Sequence, residues 1–208
     1  MKKLLLILAV MFTPMLIKAQ GKAHNFLIGY QSTGGLYTTH GKGEILYDST
    51  SVTVIGGYRK MSFGATQANI SDENGNLLMS SNGCWIADAT GDTMLNGSGL
   101  NPNSFTNDYC DSSSGLPLSH GNIILPYPNH PDKYILFHQT GNYNAPYLIS
   151  TELYYSEIDL SLNGGLGAVT AKNQIILNDI IAGGLAACKH ANGRDWWIIA
   201  LKDATTII

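Results

Sequence analysis

Residues 62–97 read SFGATQANISDENGNLLMSSNGCWIADATGDTMLNG. Two apolar runs meet at the polar stretch Asp72-Glu73-Asn74-Gly75-Asn76, and a third short run, Cys84-Trp85-Ile86-Ala87, follows. Asn-Gly accepts positive φ at both central positions, as a type I′ hairpin turn requires. Residues 62–71 therefore predict a strand near the middle of a sheet. Residues 77–81 predict its returning partner, residues 84–87 a further strand, and residues 88–99 a turn region.

Related units recur downstream. In the second, Ile123-Ile124-Leu125 runs up, the prolines at 126, 128 and 131 confine a turn, and residues 133–138 return. Residues 147–160 alternate as a strand does, Ser161 to Gly167 turns the chain, and Val169 and residues 174–177 return. In the third, residues 185–190 go out, Asn192-Gly193 repeats the Asn74-Gly75 turn chemistry, and residues 195–201 come back. The turns centre near residues 74, 130 and 192, and four strands for each period of about 60 residues match a β-propeller blade with long loops.

The predicted fold is all-β: a partial β-propeller-like array of antiparallel four-stranded sheets. Three periods make about half of a ring of roughly 4 to 8 blades. Residues 20–208 are thus expected to be an incomplete domain, the amino-terminal part of a longer protein. Upstream of residue 62, short β-prone runs lie at Phe26-Leu27-Ile28, 44–47 and 51–55, broken by Gly34-Gly35 and Gly56-Gly57. Residues 100–119 contain Asn101-Pro102, Asp108, Asp111 and Ser112-Ser113-Ser114, which argue against regular structure over much of the segment. A loop of that length in a compact domain is usually functional or disordered. It is the expected variable contact surface.

The amino terminus reads as an address. Met1-Lys2-Lys3 is a positive region, residues 4–12 are apolar with an extension to Ile17, and Ala19 is small. This predicts a signal peptide over residues 1–19, cleaved between Ala19 and Gln20. The apolar run is too short for a comfortable membrane span. Nothing after it approaches about 18 consecutive apolar residues, so no span is expected in the mature chain. Export to the extracellular space or cell surface follows. Lys2, Lys3 and Lys18 leave with the peptide, so nine basic residues face 15 acidic ones and the mature net charge is −6. That balance argues against nucleic acid, whose phosphates need clustered Lys and Arg. Charge is sparse, at 13%, and the 23 glycines suit a turn-rich β protein.

Of the three cysteines, Cys84 and Cys110 flank one long polar loop and Cys188 lies in an apolar strand. An oxidising compartment permits pairing. The expected disulfide is Cys84–Cys110, closing a ring of roughly 25 residues. Three free, buried thiols are the alternative. No Cys-x-x-Cys supports a zinc or redox reading.

Ile70-Ser71-Asp72-Glu73-Asn74-Gly75-Asn76-Leu77-Leu78, followed by Ser81-Asn82-Gly83, resembles the "sDxxGnLLfysnG" signature of large secreted proteins of the Bacteroidetes phylum. Those proteins end in a type IX secretion sorting domain. Met94 to Pro102, Leu153-Tyr154-Tyr155-Ser156, Asp159 to Val169 and His190-Ala191-Asn192-Gly193-Arg194-Asp195-Trp196-Trp197 are similar to further family stretches, in the same order. The resemblance covers roughly residues 59–201. It implies an exported propeller-like region, surface delivery, and no catalytic residues to carry over. The 208 residues contain no sorting domain, a departure from the family pattern.

Several residues invite chemistry. Ser119-His120 suggests a nucleophile and base, but neighbours on a strand point to opposite faces and there is no Gly-x-Ser-x-Gly elbow. His120, His130, His138 and His190 could ligate a metal, yet none has a ligand spacing. Asp72, Asn74 and Asn76 resemble a calcium loop, but Gly75 falls fourth and Gly83 twelfth, against the sixth-position Gly and twelfth-position Glu of an EF-hand. Asp88-Ala89-Thr90-Gly91-Asp92 and the Asp108/Asp111 pair are similarly ambiguous. No cofactor is expected, and calcium is the one that the sequence leaves open. Glu157 and Asp159 share a strand face about 6 to 7 Å apart, a spacing suited to a glycosidase pair but common to any strand. Trp85, Tyr154-Tyr155 and Trp196-Trp197 could stack on a ligand or pack between sheets. Two functions follow: a non-catalytic binding or display platform for a surface glycan or protein ligand, or part of an extracellular glycan or peptide hydrolase completed by further blades.

Overall fold

A computed structural model describes residues 24–30, 41–47, 50–110, 115–144 and 147–202. The predicted signal peptide with its Ala19–Gln20 junction, Gly34-Gly35, and residues 111–114 of the long loop lie outside these.

The chain is mostly β. Strands β1 (Asn25–Ile28), β2 (Gly43–Tyr47) and β3 (Val52–Gly56) form an antiparallel three-stranded sheet. β4 (Ala68–Ser71), β5 (Leu77–Ser81), β6 (Trp85–Ala87) and β7 (Thr93–Ser98) make an antiparallel four-stranded meander. A second meander contains β8 (Asn122–Pro126), β9 (Lys133–Asn144), β10 (Tyr147–Asp159) and β11 (Ala168–Lys189). β12 (Trp196–Lys202) adds to β11. A seven-residue helix, α1 (Ser104–Cys110), lies between the meanders.

The two meanders are not separate sheets. One parallel pair, Leu95 with Ala168, joins β7 to β11, so β4 to β12 form a nine-stranded sheet. The ends of the eight-strand path, β4 and β8, also lie against each other, giving a nearly closed, barrel-like ring. β4 therefore sits at an end of the path and covers only the last four of residues 62–71, where a central strand is expected.

Period-two patterning explains the core. On β9, Tyr134, Leu136 and His138 are buried while Ile135 and Phe137 are half-buried; on β10, Tyr154, Ser156 and Ile158 point inward. Ile70, Met79, Ile86, Met94, Ile124, Leu136, Ile158 and Val169 bring one apolar side chain from each of the eight strands into a single core. The three-stranded sheet docks through Leu27 against Met61, Phe63 and Ala87. Arg59 ties that junction: its guanidinium donates to the carbonyls of Ile28, Gly29 and Gly43 and lies 4.6 Å from the Phe63 ring centre. Burial lowers its pKa to about 10.

The Asn-Gly turns are in place, but their type differs from expectation. Asp72 N–H donates to Asn76 O and Gly75 N–H to Asp72 O, with φ +88° at Gly75. Asn74 is not among the positive-φ residues, so this is a type I turn closed by a left-handed glycine bulge. Asp88–Asp92 repeats the pattern, with Gly91 at φ +85°. At Asn192-Gly193, Gly193 N–H donates to His190 O and only Gly193 has positive φ. A Cβ at Gly193 would meet nothing within 4 Å, so Gly193→Ala isolates backbone strain. It is expected to destabilise the chain by about 1–2 kcal/mol, read from the shift in urea midpoint at constant slope.

One further expectation is corrected and one is refined. Residues 93–98, predicted as turn, form β7; Met94 and Gly97 are its buried positions. The 100–119 segment contains α1, because Asn103 Oδ1 accepts from Thr106 N–H as an N-cap and Phe105 is buried against Cys84, Leu116 and Leu118.

Candidate functional site

Two arrangements stand out, one sealed and one open. The sealed one begins at His138, fully buried on β9. Its Nδ1 lies 2.7 Å from Asn101 Oδ1 and its Nε2 lies 2.9 Å from Ser156 Oγ on β10. Asn101 Oδ1 can only accept, so His138 donates from Nδ1 and accepts the Ser156 hydroxyl at Nε2. Ser156 Oγ in turn accepts from Asn173 N–H, at 3.1 Å. Asn173 Oδ1 accepts from Asn101 N–H, at 3.1 Å, which closes a four-residue ring. Each side-chain NH2 also makes a bond outside the ring: Asn101 Nδ2 donates to Gly83 O and Asn173 Nδ2 to Gly99 O.

The order serine–imidazole–amide is that of a nucleophile triad. The environment is not. Ser156, His138 and Asn101 each have 0% exposure, and Tyr154 stacks on the imidazole with ring centres 5.7 Å apart. Desolvation pushes the His138 pKa down to about 3, so the ring is neutral at pH 7. Asn101 and Asn173 both have left-handed φ, +54° and +55°, a conformation that Asn tolerates better than most residues. The ring thus clamps the turn after β7 to β9, β10 and β11.

The open arrangement is built on α1. Cys84, just before β6, and Cys110, at the end of α1, are bonded with Cα atoms 5.5 Å apart. At the other end, Asn103 caps the helix and donates through Nδ2 to Gly141 O on β9, while Thr106 and Thr140 share a hydrogen bond of 2.7 Å. Phe105 fills the space beneath, with Tyr109 and Tyr143 each 5.0 Å from it, centre to centre. Tyr109 and Tyr143 stack at 6.3 Å and 30°. The Tyr143 hydroxyl donates to Asp108 Oδ2 at 3.2 Å. Desolvation, then the hydrogen bond and charge of Asp108, push the Tyr143 phenol up to about 12. Tyr143 is 56% exposed, so solvent screens much of that effect. These residues line a cleft of about 640 Å³ with Tyr30, Gly64, Ala65, Gly115 and Pro117.

The residues singled out from sequence fall as follows. Ser119 and His120 are both exposed, beside a different cleft that also contains Ser150 and Gly184. His130 packs edge-on against Tyr127, and His190 Nδ1 accepts from Asn192 N–H, so the four histidines do not converge. Among the described residues, no group of three or more His, Cys, Asp or Glu side chains is placed to hold a metal. The Asp72 carboxylate accepts from Asn74 N–H, Asn76 N–H and Asn76 Nδ2, all inside its own turn. Those bonds, led by the Asn76 side chain, hold it below the usual carboxylate range. Asp88 similarly accepts from the Thr90 amide and hydroxyl.

Asp159 accepts from Ser161 N–H and Oγ and lies 3.6 Å from Lys133 Nζ; the Ser161 bonds lower its pKa, the opposite of a general acid. Trp196 donates from Nε1 to Pro126 O, whereas Trp197 is 58% exposed. Cys188 is free and exposed. Sequence reasoning missed the sealed ring; for the open arrangement it singled out the 100–119 segment and the Cys84–Cys110 pair but not the helix or the aromatic residues. The residues come from four separate segments in the first case and from α1 and β9 in the other. Asn103, a capping residue type immediately before Ser104, is the local signal that could have located α1. No helix among the described residues is long and apolar enough to cross a membrane. Compared with family models, with curated proteins and with solved structures, the chain matches none.

Proposed function

We propose that the chain is an exported, non-catalytic binding or surface-display module with propeller-like blades. One observation carries the non-catalytic part. The serine–histidine pair with nucleophile geometry is closed to solvent and has its hydrogen-bonding groups engaged in a structural ring, while an aromatic cleft with a carboxylate at its edge is open. The blade reading is supported by two successive four-stranded antiparallel meanders, β4 to β7 and β8 to β11, with β12 as a further strand on β11. Export and surface delivery rest on residues 1–19 and on the resemblance to type IX secreted proteins.

The test is direct. The exported chain is incubated with p-nitrophenyl acetate, labelled casein and 4-methylumbelliferyl glycosides, beside Ser156→Ala. Equal background rates for both chains are expected. Turnover that Ser156→Ala abolishes, or any glycoside hydrolysis proportional to protein, would replace this reading with the hydrolase. Amino-terminal sequencing of the same preparation is expected to begin at Gln20.

A further inference from the structure

We infer that the α1 cleft is a binding site for a neutral oligosaccharide, with the Tyr109–Tyr143 platform as its stacking surface and Asp108 as its hydroxyl acceptor. This rests on the binding-module reading and deepens it.

The cleft volume, about 640 Å³, lies within the range of about 300–1,000 Å³ typical of small-ligand sites. Its chemistry is mixed. Tyr109 and Tyr143 both line the cleft, with ring centres 6.3 Å apart and planes 30° from parallel, and the buried Phe105 lies 5.0 Å from each ring. A pyranose ring has the matching character: an apolar face of C–H groups and an equatorial rim of hydroxyls. Asp108 accepts from the Tyr143 hydroxyl through one oxygen, and a carboxylate has further lone pairs for sugar hydroxyls. Large, stiff aromatics bind at low entropic cost because they have few rotamers to lose.

The site is also preorganised. The disulfide holds the carboxyl end of α1, the Asn103 cap and the Thr106–Thr140 bond hold its start, and the Tyr143 backbone belongs to β9. Ordering before binding spares the affinity that a free loop would lose. Charge selects the ligand class further. Among the described residues none of the lining side chains is cationic and Asp108 is anionic, which disfavours uronic or sulfated sugars. A proline-rich peptide also docks in aromatic-lined grooves, which makes it the competing ligand for the test.

The experiment is an amide NMR titration of the exported, oxidised chain with cellotriose, chitotriose and mannotriose, beside trigalacturonate and decaproline. At least one neutral triose is expected to bind saturably, with shifts concentrated at residues 104–110 and 141–143. Tyr143→Ala is expected to weaken it by about tenfold or more, the effect typical of an anchoring aromatic. Asp108→Asn should weaken it less, and Trp197→Ala should leave it unchanged. Tyr143→Phe preserves the packing and is expected to keep most of the affinity, which separates stacking from misfolding.

Absence of binding by all three neutral trioses overturns the inference. So does binding of trigalacturonate or decaproline in their place, or triose binding that Trp197→Ala weakens and Tyr143→Ala does not. The binding-module reading fails differently, through turnover that depends on Ser156.

Discussion

Acidification from pH 7 to pH 5 is expected to destabilise the chain by about 2 kcal/mol through His138 alone. The sign follows from where the proton goes. In the fold the imidazole is buried and neutral, with a pKa lowered to about 3 by desolvation. In the unfolded chain it titrates near 6.5. Between these values the unfolded state binds a proton that the folded state refuses, so stability falls as pH falls, by about 1.4 kcal/mol per pH unit. The loss begins near pH 6.5 and stops growing below the folded value. Urea midpoints at pH 7, 6 and 5 measure it. Carboxylates add their own loss nearer pH 4, because Asp72, Asp159 and Asp179 have lowered values, so pH 5 is the clean lower limit. His138→Gln should be less stable at pH 7 and should flatten the pH 7-to-5 slope. A wild-type midpoint constant over that range would show the ring to be solvated.

Removing the disulfide should have a comparable or larger effect. Cys84 and Cys110 are 26 residues apart, and a ring of that size constrains the unfolded chain by about 3.5 kcal/mol in the loop-entropy model. The Cys84→Ala/Cys110→Ala double variant is therefore expected to lose about 3–4 kcal/mol in urea unfolding, with a steeper slope because its unfolded state is more open. Cys84 is also buried with Phe105, Leu116 and Leu118, which adds a packing loss. Cys188→Ser, at an exposed free thiol, should change nothing. Dithiothreitol should reproduce the double variant in wild type and have no effect on the variant itself. A midpoint insensitive to reduction would remove the disulfide from the stability account.

Much of the strand order was legible because it depends on local chemistry. The turns at Asn74-Gly75 and Asn192-Gly193, the prolines after Leu125, the β-prone run from Lys133 to His138 and the alternation along Leu153-Tyr154-Tyr155-Ser156-Glu157-Ile158 needed no tertiary information. Turn type was less accessible. Whether Asn74 takes positive φ depends on the register shift between Ile70 and Ser71, which the sheet imposes. β7 was hidden because Asn96, at φ +59°, interrupts its alternation. α1 is too short for a periodic signal. The hydrogen-bonded ring was the least legible part, since residues 101, 138, 156 and 173 meet only after three strands have paired. Asn173 in particular reads as an ordinary polar residue until its bulge in β11 turns its amide toward Ser156. The Ser81-Asn82-Gly83 stretch, by contrast, proves to be a folding element: Asn82 Oδ1 accepts from Cys84 N–H, and Asn82 O accepts from Leu116 N–H.

The length of β11 carries one more consequence. Its first part pairs with β10 and its last part with β12, and the two ladders overlap at Ile181. Tension applied to the chain beyond β12 reaches the rest of the sheet only through β11, because β12 pairs with no other strand among the described residues. It would load β11 lengthwise and pass through Ile181 into the β10 ladder, where many backbone bonds share the force in shear. The weak point under such a pull is the kink at Gly183-Gly184, where pairing skips from Ala182 to Ala186. Traction should open that kink first and leave the Ala168–Ile181 stretch intact.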